Sequence, residues 1–217
     1  MPSPNFFRHA GLFVVPTFLD EKSILELCTA TAAAPTDKAL VVKSDGIDCV
    51  AETVRKVQSV ILPTELHTDL RRRLMDVLPR LEKHFHVQLG GCESPDLLIY
   101  RPNDFFTLHS DGGGSHGHSE ETRQRRVSAV IFLNRESAEP EQGTYGHGQL
   151  TFYGLLDGSH WEKCGFPLSP EPGLLVAFPS EMIHEVTPVS HGRRLTIVTW
   201  FYARNPEPKS ETVQVTS

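Results

Sequence analysis

Two hydrophobic periods divide this chain, and the change falls near residue 96. Before it, apolar residues recur at helical steps. Asp20 can cap a helix running through "EKSILELCTATAAA", with Ile24, Leu27 and Cys28 on one stripe. "LVVK" and "RKVQSVILP" read as short strands. A second helix is expected from Thr64, where Leu66, Leu70, Leu74, Val77, Leu78, Leu81 and Phe85 form one apolar face to pack on a sheet. Pro79 lies inside that pattern. It lacks the N–H of one helical hydrogen bond, so a kink or a split is expected there.

From Asp96 onward, short β-rich runs alternate with Gly, Pro, Asn and Ser clusters. Strands are read in "DLLIYR", "FFTLHS", "RVSAVIFL", "QLTFYG", "LLVAF", "HEVTPV" and "RLTIVTWFY", with a weaker one near "WEKCGFPL". This spacing predicts a mainly β fold with flanking helices, its core a double-sheet jelly roll or barrel. The 217 residues are expected to form a single domain. Within it, 1–95 form an N-terminal helical and strand support and 96–203 form the core. The polar, Pro-containing tail 204–217 is expected to be disordered.

Composition narrows the partners. The net charge of −6 argues against non-specific nucleic-acid binding, which needs a positive field. The basic runs "RRR" (Arg71 to Arg73) and "RQRR" (Arg123 to Arg126) read as solvated faces. Cys28, Cys49, Cys92 and Cys164 form no CxxC pair, which points to reduced thiols in a cytoplasmic protein. "GLFVVPTFL" is broken by Pro16 and follows no basic segment, which argues against a signal peptide. No stretch has the length of a bilayer span, so no membrane partner is expected.

The chemistry centres on "FFTLHSDGGGSHGHSEE". His109 and Asp111 are two apart at the end of a strand, so both side chains can face one cation. His-x-Asp alone is a weak signal. "PEPGLLVAFPSEMIHEVTPV" offers a third ligand in His184. Two imidazoles and one carboxylate would leave three adjacent positions open on an octahedral Fe(II), as in the facial triad of non-haem iron oxygenases. "GRRLTIVTW" then places Arg194 on one strand face with Thr196, Val198 and Trp200, while Arg193 and Leu195 point the other way. Alone, Arg194 reads as a surface residue or the partner of a protein carboxylate. Inside a barrel it needs an anion, and a bound dicarboxylate supplies one. Tyr100, ending the preceding strand, offers a phenolic donor.

Together these segments resemble the Fe(II)- and 2-oxoglutarate-dependent oxygenases, specifically the prolyl-hydroxylase-like branch, over roughly Asp96 to Tyr202. "LLIYRPNDFFTLHSD" is similar to that branch's tyrosine-bearing strand and His-x-Asp, and "RRVSAVIFLN" to its core strand ending in Leu-Asn. "GHGQLTFYG" resembles its Gly-Gly-x-Leu-x-Phe strand, with His147 where Gly is usual. "PEPGLLVAFPSEMIHEVTPVSHGRRLTIVTWF" resembles Pro-x-x-Gly, His-x-Val-x-Pro-Val, Gly-x-Arg and a closing Trp.

The resemblance implies a double-stranded β-helix, with His109, Asp111 and His184 as iron ligands. It implies Arg194, assisted by Tyr100, as partner of the distal carboxylate of 2-oxoglutarate. Fe(II), 2-oxoglutarate and O2 are the implied cofactors, with ascorbate as an accompanying reductant. The implied reaction hydroxylates an unactivated C–H bond while 2-oxoglutarate becomes succinate and CO2. The substrate expected is a prolyl residue of a protein or peptide, with a free small molecule as the alternative. One departure stands out. Phe132 occupies a position where some prolyl hydroxylases carry a co-substrate-contacting Tyr, so Tyr100, Thr107 or Thr196 would share that task.

Two rival readings are weighed against this one. "HGHSEE" superficially fits a cupin's His-x-His and Glu. However, Glu120 and Glu121 come early, His116 and His118 lie in a Gly-rich loop, and Pro188 stands where the cupin pattern needs Asn. His116 and His118 are therefore expected to be loop residues and not ligands. The second rival is a binding module that retains metal and 2-oxoglutarate without turnover.

Overall fold

A computed structural model of the chain describes residues 7, 9–33, 35–38, 41–42, 48–49, 53–112, 120–155, 164–168 and 170–204. The apolar stretch before the first helix is a strand, β1 (Phe13–Val15). Asp20 then starts the helix Glu21–Ala33, its carboxylate accepting the Ser23 N–H at 2.8 Å. Next come β2 (Thr36–Lys38), β3 (Val41–Val42), β4 (Asp48–Cys49), β5 (Arg55–Lys56) and β6 (Gln58–Val60). "RKVQSVILP", expected as one strand, is two. β5 and β6 enter different sheets, and the break falls at the buried Val57.

The second helix, Thr64–Phe85, runs unsplit through Pro79. Only the bond to the Met75 carbonyl is forfeited there, and Met75 lies on the exposed side. Leu70, Leu74, Val77, Leu78 and Leu81 are buried on both sides of the proline and hold the two halves together. Each fully buried Leu contributes about 1.5–3 kcal/mol, comparable to the penalty for the proline.

The remaining strands are β7 (Leu89–Cys92), β8 (Asp96–Tyr100), β9 (Phe105–His109), β10 (Arg125–Phe132), β11 (Tyr145–His147), β12 (Leu150–Phe152), β13 (Phe166–Leu168), β14 (Leu175–Pro179), β15 (His184–Val186), β16 (Val189–Gly192) and β17 (Arg194–Ala203). A one-turn helix, Glu120–Arg123, precedes β10. The run "HEVTPV" is divided at Thr187–Pro188, where proline cannot continue the ladder. The residues 205–217 of the expected tail, and Trp161 to Lys163 of the weak strand, lie outside the described residues.

Two antiparallel sheets face each other as a double-stranded β-helix. The major sheet runs β1-β14-β10-β17-β8-β6-β2, with β7 also paired to β17. The minor sheet runs β13-β12-β15-β9-β5. Alternation along the major strands supplies two cores. Leu97 and Ile99 of β8, with Ala129 and Ile131 of β10, pack with the two helices. Leu98, Tyr100, Val130 and Phe132 turn inward to meet Leu150, Phe152 and Val186 of the minor sheet. Both faces of the major sheet are covered, so its strands read as nearly continuous apolar runs.

Candidate active site

β9 and β15 are hydrogen-bonded neighbours, and His109 and His184 are direct partners in their register. The ring centroids are 4.2 Å apart. His109 Nδ1 lies 2.7 Å from the Thr107 carbonyl and His184 Nδ1 lies 2.9 Å from the Met182 carbonyl. A carbonyl only accepts, so each Nδ1 carries a proton, and Nε2 is the ring nitrogen left to a metal. Both Nε2 atoms face Asp111, at 3.6 Å from Oδ1 and 3.6 Å from Oδ2.

Asp111 lies just beyond β9 and is held through its backbone. Its N–H and that of Gly112 both donate to the Ser180 carbonyl, at 2.8 and 3.0 Å. Ser128 Oγ donates to Ser180 Oγ at 3.0 Å, and both serines are buried. Gly112 is required by close approach: a Cβ there would lie 2.8 Å from the Thr122 carbonyl oxygen and 2.9 Å from Arg125 Cβ.

Electrostatics suits a cation. Burial alone would raise the Asp111 carboxyl, but the His184 and His109 rings outweigh it and hold it well below the usual carboxylate range. His184 is lowered to about 4, first by burial and then by the neighbouring His109. It is therefore neutral at pH 7, the form a metal ligand needs. The potential ligand atoms of His109, Asp111 and His184 all lie within 4.8 Å of one another, so one ion can bind all three. The Phe106 ring stacks on His109 at 3.5 Å and 15°, fixing the plane of that imidazole.

The same cavity contains Arg194. This residue is 1% exposed, whereas Arg193 faces solvent. Its guanidinium lies over the Tyr100 ring at 5.0 Å and near the Phe132 ring at 5.3 Å. Nη1 donates to Thr196 Oγ1 at 3.2 Å. Nε has no hydrogen-bond partner among the described residues. A buried guanidinium with an unused donor is costly in an apolar cavity unless an anion binds it. Thr196, Val198 and Trp200 line the cavity with Arg194, as their shared strand face predicts.

The other expected residues separate. Tyr100 and Thr196 border the cavity, whereas the Thr107 hydroxyl is engaged by the Val54 carbonyl at 3.1 Å. His147 has φ +56°, which explains why glycine suits that position. His116 and His118 lie outside the described residues. "RQRR" is not a uniformly solvated run. Arg125 grips Glu93 through two 2.7 Å bonds, and its guanidinium carbon lies 3.7 Å from the centroid of the Trp200 ring. Pattern reading also missed Arg55, which lines the cavity from β5 with its guanidinium over Phe106 at 4.9 Å. It missed the buried Tyr145, whose phenol is raised by burial and drawn back by the adjacent Arg194.

Comparison with known proteins agrees with this architecture. Residues 95–202 match the 2OG-Fe(II) oxygenase superfamily. A PKHD-type hydroxylase of Klebsiella pneumoniae (strain 342) is 26% identical over 191 residues, covering 87% of this chain and 77% of the relative. A Pseudomonas putida prolyl-4-hydroxylase superposes with a TM-score of 0.67 at 24% identity, covering 93% of this chain and 97% of that one. A Trichoplax adhaerens prolyl hydroxylase, solved with a hypoxia inducible factor oxygen degradation domain peptide fragment, superposes with a TM-score of 0.64 at 16% identity, covering 91% and 86%. The chain belongs to the 2OG-Fe(II) oxygenase superfamily and has the prolyl-hydroxylase-like fold. It is a hydroxylating dioxygenase whose cofactors are Fe(II), 2-oxoglutarate and O2.

Proposed function

We propose that His109 Nε2, an Asp111 carboxylate oxygen and His184 Nε2 hold the Fe(II), and that Arg194 receives the distal carboxylate of 2-oxoglutarate. The substrate in this reading is a prolyl residue of a protein or peptide. The observation that carries it is a buried guanidinium with an unused Nε, sharing one cavity with a two-histidine, one-carboxylate cluster. Bound there, Fe(II) with 2-oxoglutarate and O2 supplies the oxidising power for hydroxylation of an unactivated C–H bond, with succinate and CO2 as co-products.

The chain's own residues do the rest. The Thr107 and Met182 carbonyls fix the imidazole tautomers, as outer partners of metal-ligating histidines do. Neutral His184 offers a lone pair without repelling the cation. Arg194 and Thr196 orient the co-substrate from its distal end, with the Tyr100 ring supporting the guanidinium. Leu98, Val130, Leu150 and Val186 surround the site with apolar surface and exclude water. Trp200 forms a rigid wall, its ring held by the Arg125–Glu93 pair.

The prolyl assignment is supported by the near-full-length superposition on the Pseudomonas putida enzyme and by the peptide complex of the Trichoplax adhaerens enzyme. Its test is to incubate the protein with Fe(II), 2-oxoglutarate, ascorbate and a library of proline-containing peptides. Addition of one oxygen at proline, matched by an equivalent of succinate, is expected. Succinate formation coupled only to free small molecules would move the substrate to that class.

A further inference from the structure

Arg194 is the first residue of β17, and one of its two flanking strands stops short of it. On one side Arg194 pairs with Tyr100 of β8. On the other, the β10 ladder reaches its last pair at Phe132 and Thr196. The backbone around Arg194 therefore has peptide groups that no β10 residue covers. The side chain of Asn134 covers them. Its Oδ1 accepts the Leu195 N–H at 2.9 Å, and its Nδ2 donates to the Arg193 carbonyl at 2.7 Å. These are the peptide groups on either side of Arg194. The three acceptor and donor partners fix the amide's orientation, because carbonyls face only the NH2 end. Asn134 thus extends the β10 ladder as a peptide group would.

The third bond ties in another wall of the site. Nδ2 also donates to the Gly143 carbonyl at 3.0 Å, in the turn before β11. β11 begins with Tyr145, which is buried beside Arg194. Asn134 follows Phe132 by two residues, and the Phe132 ring lies against the same guanidinium. One buried amide therefore fastens together β17, the tyrosine-bearing turn and the end of β10, all of which contact Arg194.

We propose that Asn134 is a positioning residue for the co-substrate site: it fixes Arg194 at the height and angle needed to grip the distal carboxylate of 2-oxoglutarate. This rests on the reading of Arg194 given above. Asn134 touches neither substrate nor metal in this role and acts through the arginine alone.

The test compares two ligands on Mn(II)-loaded protein by calorimetry. One is 2-oxoglutarate. The other is 2-oxopentanoate, which keeps the 2-oxo acid end but has a methyl in place of the distal carboxylate. Wild type is expected to prefer 2-oxoglutarate. Asn134→Ala is expected to bind 2-oxoglutarate about tenfold more weakly, the size of effect that follows from unpairing buried hydrogen-bonding groups, with 2-oxopentanoate and Mn(II) affinities unchanged. Asn134→Ser is measured alongside, so that poor folding of the alanine variant does not remove the test. Leu81→Ala, a core change remote from the site, is the control for general destabilisation and is expected to keep the wild-type preference. Retention of that preference in folded Asn134 variants, or equal weakening of both ligands, would overturn the proposal. Absence of any preference in wild type would overturn the reading of Arg194 itself, and Asn134 with it.

Discussion

His109 and His184 are direct partners in the register of β9 and β15, while the carboxylate that faces both of them comes from beyond the strand end. The imidazoles are thus set by sheet geometry, and Asp111 by two backbone bonds to Ser180. Removing the carboxylate leaves two imidazole nitrogens and no anionic oxygen, a poor match for a hard divalent cation. Asp111→Ala is expected to weaken Mn(II) binding by at least about 100-fold, more than changes to outer partners of metal ligands produce, with little change in the far-ultraviolet circular dichroism. Calorimetric titration with Mn(II) measures this. Unaltered affinity would remove Asp111 from the metal site.

Gly112 tests how finely that carboxylate is placed. A Cβ there would press on backbone at Thr122 and on the Arg125 side chain at its root, neither of which can swing away. Gly112→Ala is expected to reduce Mn(II) affinity by roughly 10–100-fold, the range seen for lost support of metal ligands, while the protein remains folded. A variant that binds metal as wild type would show that this segment has room to adjust.

Arg194→Met keeps much of the side-chain volume and removes the charge. It is expected to raise the 2-oxoglutarate requirement by about 30-fold or more, in line with the 2–5 kcal/mol cost of losing one partner of a buried charge pair. Mn(II) binding should be preserved, because the guanidinium is not among the metal-facing groups. The pair of affinities is read by titrating metal first and co-substrate second. Equal co-substrate affinity in the variant would assign the anchor to another residue.

Much of this arrangement is legible in the sequence because period-2 patterning dictates facing. Once β17 is read as a strand, Arg194 shares a face with Thr196, Val198 and Trp200, and Arg193 is sent outward. His109 ends β9 and His184 opens β15, as strand ends predict, whereas Asp111 lies beyond β9, where alternation no longer sets its direction and the backbone bonds to Ser180 do. Tyr145 was not legible because β11 is only 3 residues long and ends at the positive-φ His147, leaving no alternation to detect. Arg55 was hidden because "RKVQSVILP" reads as one strand but feeds two sheets, and only tertiary pairing reveals the break at Val57. The role of Asn134 is hidden because its partners Arg193, Leu195 and Gly143 are remote in sequence. At Pro79 local geometry predicts a kink or a split, and the helix runs on unsplit because Leu78 and Leu81 are buried beside it.

A pH dependence follows at the first helix. The Ser23 N–H bond holds the Asp20 carboxyl below its ordinary value. A group lowered in the folded state adds stability above its unfolded pKa and loses it as pH falls through the folded value. The stability gap between wild type and Asp20→Ala is therefore expected to be largest at neutral pH and to shrink below about pH 4. Urea unfolding across that range measures it. A gap that widens in acid would contradict the cap.

The most direct test of the whole account is succinate released from 2-oxoglutarate in air with Fe(II) and ascorbate, by wild-type and Asp111→Ala protein side by side. The account predicts steady succinate release by wild type, rising with a hydroxylatable substrate, and none above background for the variant. Equal release by the two proteins, or none by wild type with any substrate, would contradict it.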